Sequence, residues 1–336
     1  MLSKQARMGA VLLGVLLLLL LAAAPISIGV LRPAKGYRKA LIELIRPGVI
    51  VAPADVVLLR DIRERKVDFV VDYYGFRYRG NTGNHIDANV YYFGAYEKPE
   101  LNFLRATLAS VGPDAVVIDV GANSGLYSVF ASKYAKVVHA VEPFPPILAR
   151  LRTLINENKI GNVVVHAVGL GETEAELPFF SPPEGNLGTG SFVAGFSKRN
   201  RDEHLSLRIV PGDVYFTQAG ITRIDFIKMD IEGYEKPALA GLQKTLGRHR
   251  PIVLMEISIN PDLPKLFKSL QELKAAFPKD YEFFELTDEN SRTGAYRLQP
   301  FQRSFQQQDH FNIVARPNEK AGLIPVMFDG RSERNP

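Results

Sequence analysis

The sequence predicts a doubly wound α/β fold built on a mostly parallel sheet. Three observations lead there. From Pro113 onward, short apolar runs alternate with stretches of helical period. A glycine turn, Gly121-Ala122-Asn123-Ser124-Gly125, follows the first of those runs and opens a helix. Acidic residues then mark the ends of successive runs, at Glu142, Asp230 and Glu256. Alternation of this kind implies parallel strands joined by crossover helices. In such sheets ligands bind outside the carboxyl ends of the strands.

The elements follow in order. Residues 115–120 read as a first strand, 126–134 as a helix and 136–141 as a second strand. Residues 146–158 form a helix with proline at its start, where a missing N–H costs nothing. Residues 162–168, 225–231 and 252–257 read as further strands, with a helix over 235–246. Residues 282–286 and 311–315 add a final antiparallel pair. The Gly-rich stretch 181–201 reads as a loop near the active face. Upstream, 67–71 and 76–78 form a hairpin around Tyr74-Gly75. Residues 85–96 read as aromatic-rich and irregular. Residues 99–110 are a helix with Leu101, Leu104, Leu108 and Val111 on one face. This divides the chain into an N-terminal segment (1–39), a connecting extension with a hairpin (40–98), a main domain (99–316) and a tail without periodicity (317–336).

The chain has 336 residues and a formal charge of +5, with 46% apolar and 23% charged residues. That composition excludes a disordered or collagen-like chain. Six basic residues and no acidic ones lie in residues 1–39, so residues 40–336 carry a formal −1. A body of that charge lacks the electrostatic footprint of a nucleic-acid binder. The absence of cysteine excludes disulfides, Cys-ligated zinc, iron–sulfur clusters and thiol catalysis.

Residues 8–31 are 24 residues without a charge. As a helix they span about 36 Å, enough for a hydrocarbon core of about 30 Å. Cleavage as a signal peptide fits poorly, because Pro25 follows Ala22-Ala23-Ala24 and the apolar run is long. A buried core helix would leave some face polar, and none is. An uncleaved single-pass membrane anchor is the favoured reading. The heavier basic flank, Arg32, Lys35, Arg38, Lys39 and Arg46, places the body in the cytoplasm.

Glycines at the 121–125 turn let a ligand approach the backbone closely. A dinucleotide turn requires G-x-G-x-x-G, and here Asn123 and Leu126 stand at the second and third glycine positions. An NAD-linked oxidoreductase is therefore disfavoured. Glu142 ends the second strand, where a carboxylate can accept from both hydroxyls of a ribose. Asp119 reads either as a cofactor residue or as a turn cap. Lys228, Asp230 and Glu232 alternate along the end of an inner strand, which puts them on one face while extended. Burying them is costly unless they are paired or functional. Glu256 neighbours Asp230 at the same edge. His166, inside the third strand, reads as a satisfied strand histidine.

These pieces together resemble the FkbM-type family of S-adenosylmethionine-dependent methyltransferases. The resemblance rests on Asp119 to Gly125, on Glu142-Pro143, on Lys228-Met229-Asp230-Ile231-Glu232-Gly233-Tyr234-Glu235 and on residues 251–256, in that order. It covers about residues 99–315. It implies a class I methyltransferase, a Rossmann-like sheet of seven strands with the last antiparallel. It implies that Asp119, Gly121, Asn123 and Gly125 line the methionine part of S-adenosylmethionine and that Glu142 holds the ribose. Phe144, Ala167 and Val168 then flank the adenine. It also implies methylation of a hydroxyl oxygen on a sugar, glycolipid or natural product. Asp230 is the expected base or metal ligand, with Glu232 and Glu256 as reserves and Lys228 orienting them. Mg²⁺ would suit such carboxylates, but the set lacks a clear octahedral pattern and no metal ligand is assigned. Tyr91, Tyr92, Phe93, Tyr96 and the loop 185–196 are candidates to close over the acceptor. A membrane-tethered binding or scaffold protein that kept the fold is the alternative. It would be signalled by loss of Asp119, Glu142 or Asp230, and all three are present.

Overall fold

The computed structural model describes residues 66–196, 204–291 and 293–330. The expected membrane anchor and residues 40–65 lie outside the described residues. Among the described residues, no helix is long and apolar enough to cross a membrane.

The expected hairpin is present as β1 (Asp68–Tyr73) and β2 (Phe76–Asn81). Tyr74 and Gly75 at its tip both have positive φ, 50° and 88°, the condition for a tight turn that matches strand twist. Residues 85–93, expected to be irregular, instead form α1 (His85–Phe93). The overlooked signal is Asn84, whose side chain accepts from the amides of Ile86 and Asp87 and so caps the helix. Next comes α2 (Lys98–Val111), with Pro99 in its first turn.

Strand and helix then alternate as β3 (Val116–Val120), α3 (Leu126–Ala131), β4 (Val137–Val141), α4 (Pro145–Glu157) and β5 (Val163–His166). Three strands follow that the sequence did not announce: β6 (Gly169–Leu170), β7 (Ala175–Phe180) and β8 (His204–Val210). They form a small separate sheet in the order β6-β8-β7. After α5 (Gly212–Gln218) and β9 (Phe226–Met229), the expected single helix is split into α6 (Glu235–Ala240) and α7 (Gln243–His249). Gly241 separates them, and a Cβ there would overlap the carbonyl of Gly171. The chain ends with β10 (Ile252–Ile259), α8 (Leu270–Ala275), β11 (Tyr281–Asn290), β12 (Ala295–Pro300), β13 (Asp309–Pro317) and β14 (Met327–Phe328).

The main sheet runs β14-β12-β11-β13-β10-β9-β3-β4-β5. Strands β5, β4, β3, β9 and β10 are mutually parallel, and β13 is antiparallel to both β10 and β11. From β5 to β11 this is the expected seven-stranded sheet with one reversed strand. Strands β12 and β14 extend it, so part of the tail joins the sheet edge. Period two sorts the strand residues into two cores. Val117, Val138, Ala140 and Phe226 pack beneath α2, α3 and the hairpin. Ile118, Val141, Ile227 and Met229 pack with Leu239, Leu242 and Leu246 on the opposite face.

The hairpin is fastened to this body. Tyr73 donates through its hydroxyl to the carbonyl of Leu126 at 3.2 Å, and the Arg77 amide donates to Asn158 Oδ1 at 2.7 Å. Buried Asp87 accepts from the Tyr78 hydroxyl and from Arg150. Strand β3 lies between β4 and β9, where the order of connection reverses. That reversal opens a crevice at the carboxyl edge of the sheet.

Candidate active site

The glycine turn leaves β3 at this crevice. Gly121 has φ 78°, and a Cβ there would overlap the carbonyl oxygen of Asp230. The turn can therefore close onto the end of β9 only with glycine at 121. The amides of Gly121 and Ala122 both donate to the carbonyl of Val141 at 3.0 Å, fixing the turn to β4. Asn123 has φ 51° and accepts from the Ser124 amide.

Glu142, at the end of β4, is buried. Its Oε2 accepts from the Asn123 amide at 3.0 Å and its Oε1 from the Phe144 amide at 2.8 Å. A carboxylate has about four acceptor positions. Two therefore remain for the hydroxyls of a ribose, which is the fit a nucleoside requires. Burial raises its pKa to about 7, against the pull of those two amides.

Beneath the turn lies a cluster of buried charged groups. Asp119 is buried; Ser128 Oγ donates to its Oδ2 at 2.6 Å, and its Oδ1 meets no donor. Lys228 is buried with Nζ 3.3 Å from Asp230 Oδ2, 3.4 Å from the Gly121 carbonyl and 4.8 Å from the ring centre of Tyr127. Burial opposes its charge, but Asp230, Asp119 and Glu97 outweigh burial and hold its pKa above the ordinary lysine value. Glu97 has left-handed backbone, φ 51°, and accepts from the Tyr127 hydroxyl at 2.8 Å. Burial, then the charge of Asp230, raises its pKa. Nothing in the sequence points to Glu97, since it precedes a helix start and belongs to no motif.

Asp230, Glu232 and Glu256 each bring a carboxylate oxygen to within 4.8 Å of the others. They are the acids among the described residues that could share a cation; the alternative is to share protons. Burial, then Asp230 and Glu232, pushes Glu256 up to about 11. Burial, then Asp230, likewise holds Glu232 far above the carboxylate range. The turn that presents them is fixed by Glu235, whose Oε1 accepts from the amides of Ile231 and Gly233.

Two cavities meet here. The smaller, about 60 Å³, is walled by Gly121, Glu142, Phe144, Ile147, Phe179 and Phe192. The larger, about 580 Å³, is bordered by Tyr96, Asn186, Phe196, Glu256, Asn260 and His310. Asn123, Gly188, Asp230 and Glu232 border both. The sequence-predicted set therefore divides. Gly121, Asn123, Glu142, Phe144, Asp230, Glu232 and Glu256 line one or both cavities. Asp119 and Lys228 lie beneath and charge the site without lining it.

Three expectations are corrected. Gly125 packs against Leu151, whose side chain a Cβ would overlap, and lines neither cavity. Ala167 is exposed and Val168 is buried in the core behind the sheet, and neither borders these two cavities. Of the four aromatics at 91–96, Tyr96 alone borders the larger cavity. The loop expectation fares better, with Asn186, Gly188, Thr189 and Phe196 all on that cavity. His166 lies away from both, 3.0 Å from His139 and 3.2 Å from the Tyr215 hydroxyl.

The buried acids make stability fall as pH rises. Glu142 and Glu235 are raised to about 7 and Glu100 to about 8, chiefly by burial. In the unfolded chain they ionise near 4.3. The folded state therefore holds more protons, and the stability they confer at low pH is lost as pH rises through about 7–8. His139 and His166 are lowered by burial and act in the opposite sense only below about pH 6.5. The melting temperature of the ligand-free chain is expected to rise on going from about pH 8.5 to about pH 6.5. Scanning calorimetry across that window checks it; a flat or inverted profile would contradict the protonated assignment.

A parallel sheet with a glycine turn, an acid at the second strand end and a second cavity opening onto further acids is the layout of a class I methyltransferase. Residues 119–283 match the family described as the methyltransferase FkbM domain, and this part of the chain is an S-adenosylmethionine-dependent methyltransferase domain. A hexuronic acid methyltransferase, AglP, of Haloferax volcanii is 27% identical over 175 residues, covering 52% of this chain and 69% of that protein. The antimetabolite synthetase AmbE of Pseudomonas aeruginosa is 29% identical over 177 residues, covering 42% of this chain but only 8% of its own length. Among solved structures, a Streptococcus mutans methyltransferase in complex with SAH gives a TM-score of 0.36 at 14% identity, covering 63% of this chain and 94% of that one. Aeropyrum pernix fibrillarin gives 0.34 at 12% identity, covering 74% and 81%. At these scores neither bears on function.

Proposed function

We propose that the protein methylates a hydroxyl oxygen of a sugar-type acceptor held in the larger cavity. The observation that carries this reading is the junction of the two cavities at Asn123, Gly188, Asp230 and Glu232. A donor held by Glu142 and an acceptor in the larger cavity would meet there. The acceptor wall mixes neutral polar groups, Asn186, Thr189, Ser258 and Asn260, with the rings of Tyr96 and Phe196. Such a wall suits a hydroxyl-rich ring, and the similarity to a hexuronic acid methyltransferase supports a sugar.

Bound S-adenosylmethionine supplies an electrophilic methyl group. The chain has to orient the acceptor in line, exclude water and take up one proton. Asp230 is the group that accepts the proton, with the Lys228 ammonium against it. Glu232 and Glu256 stay protonated beside it, and Glu256 is hydrogen-bonded to Asp230. No metal ion is assigned to the three acids. Residues 8–31 would tether the enzyme to a membrane with its body on the cytoplasmic side, where a lipid-linked sugar is one acceptable substrate.

Methyl-labelled S-adenosylmethionine, incubated with the full chain and an extract of its cells, tests the reading. Label on a sugar oxygen supports it. Label on nitrogen or carbon would overturn it. Partition of the product between lipid and water decides whether the acceptor is lipid-linked. Alkaline-phosphatase fusions on either side of residues 8–31 report the membrane orientation.

A further inference from the structure

Residues 260–269 connect the carboxyl end of β10 to α8, and they border the larger cavity through Asn260 and Leu263. Three carbonyls of this loop converge on one point. The Lys268 ammonium donates to the carbonyl oxygens of Asn260 at 3.1 Å, Pro261 at 2.9 Å and Leu263 at 2.5 Å. An ammonium has three donors, and the loop's own backbone takes them all. A surface lysine ordinarily keeps its head in water. Fixing its side chain costs about 1.5–2 kcal/mol of conformational entropy, which the three bonds must together outweigh.

Lys268 is also held at its backbone. Its amide donates to Glu272 Oε2 at 2.6 Å, and Ser269 Oγ caps α8 by accepting from the Glu272 amide at 3.1 Å. The other oxygen of Glu272 accepts from the Lys236 ammonium on α6. Lys236 follows Glu235, whose carboxylate fixes the turn that presents Glu232. One line of contacts therefore runs from the acid turn, through Glu272 and Lys268, to the cavity wall. Lys236, Lys268 and Glu272 themselves border neither cavity.

With three carbonyls committed to Lys268, the Asn260 carboxamide is the loop's polar side chain at the cavity. Its Oδ1 accepts from the Asp262 amide at 3.0 Å, which orients the group and leaves Nδ2 to donate. Leu263 adds an apolar surface, packed against the cluster that contains Phe192 and Tyr234. We propose that Lys268 is a positioning residue for the acceptor, gathering the backbone of residues 260–263 so that Asn260 donates to an acceptor oxygen. Lys268 acts from outside the cavity and takes no part in methyl transfer. The inference rests on the acceptor being held in the larger cavity and adds what shapes this side of it.

The chain contains no cysteine, so Lys268→Cys introduces a single thiol into the full-length protein. Alkylation of that thiol with 2-bromoethylamine, verified by mass spectrometry, displaces bromide and rebuilds a side chain of lysine length ending in an ammonium. The assay uses saturating methyl-labelled S-adenosylmethionine and a dilution series of cell extract as the acceptor source. Lys268→Cys should need about tenfold more extract for half-maximal rate, the worth of a lost hydrogen bond or two. Its maximal rate, and its affinity for S-adenosylhomocysteine by calorimetry, should match the unsubstituted chain, the pattern of lost binding without lost chemistry. Aminoethylation should return the extract requirement to its original value. Asn260→Ala should show a similar rise, and combining it with Lys268→Cys should add little, since both remove the same contact. An unchanged requirement in either variant would overturn the inference. So would a rise that aminoethylation leaves in place, or one matched by an equal loss of S-adenosylhomocysteine affinity. Label on nitrogen or carbon in the unsubstituted chain would instead overturn the acceptor reading, and this positioning role with it.

Discussion

Asp230→Asn is expected to slow methyl transfer by about 10²–10⁴-fold, the usual worth of a positioned general base, with S-adenosylhomocysteine affinity changed only a few-fold. Three acids meet at the junction of the cavities, and one of them has a cation against it. Burial and mutual proximity keep Glu232 and Glu256 protonated. Asp230 differs from both in having the Lys228 ammonium 3.3 Å from its Oδ2. Asp230 borders both cavities, where a substrate hydroxyl would meet the donor. Asparagine preserves shape and removes basicity. The measurement is single-turnover transfer of labelled methyl beside calorimetric binding of S-adenosylhomocysteine, for Asp230→Asn and Glu256→Gln in parallel. If the Glu256 variant loses its rate and the Asp230 variant keeps it, the roles are reversed.

Lys228→Met is expected to cost about 3–5 kcal/mol of folding stability near pH 8, the usual range for breaking a buried ion pair from one side. One ammonium faces Asp230 directly and feels Asp119 and Glu97. Methionine has a similar reach but no charge, so it strands these carboxylates in a buried setting. The loss should shrink near pH 5.5, because the stranded acids can then protonate at less cost. Urea unfolding at both pH values checks this. Adding Asp230→Asn to the lysine variant should restore part of the loss. Equal losses at both pH values would mean that packing, and not charge, is what Lys228 contributes.

The central sheet was legible because its inner strands, β3, β9 and β10, are largely buried on both faces and read as mostly apolar runs with acids toward their ends. Asp230, Glu232 and Glu256 were legible for the same reason: charge at the end of an inner strand is expensive and therefore conspicuous. The features that went unread belong to other physics. Helix α1 is rich in aromatic side chains that obscure its period, and only the Asn84 cap betrays it. Strand β6 is two residues long and β7 carries Pro178 within it, which reads as a break; β8 does alternate, through Leu205, Leu207 and Ile209, and was overlooked. Glu97 reaches the acids through a left-handed backbone residue, a conformation that sequence does not advertise for glutamate. Gly125 shows the converse error. A glycine within a cofactor turn reads as a ligand contact, and its requirement comes from a left-handed backbone, φ 93°, packed against the Leu151 side chain.

The wall of the larger cavity is drawn from two parts of the chain. Glu142, Asp230, Glu232 and Glu256 all fall within the matched residues 119–283. Tyr96, Gln308, Asp309 and His310 border the larger cavity from outside that range, on the approach to α2 and at the start of β13. Asn186, Thr189, Phe196, Ser258 and Asn260 complete that cavity from within the range. One side of the larger cavity can therefore be reshaped by changes in the flanking stretches while the residues around Glu142 and Asp230 are left as they stand.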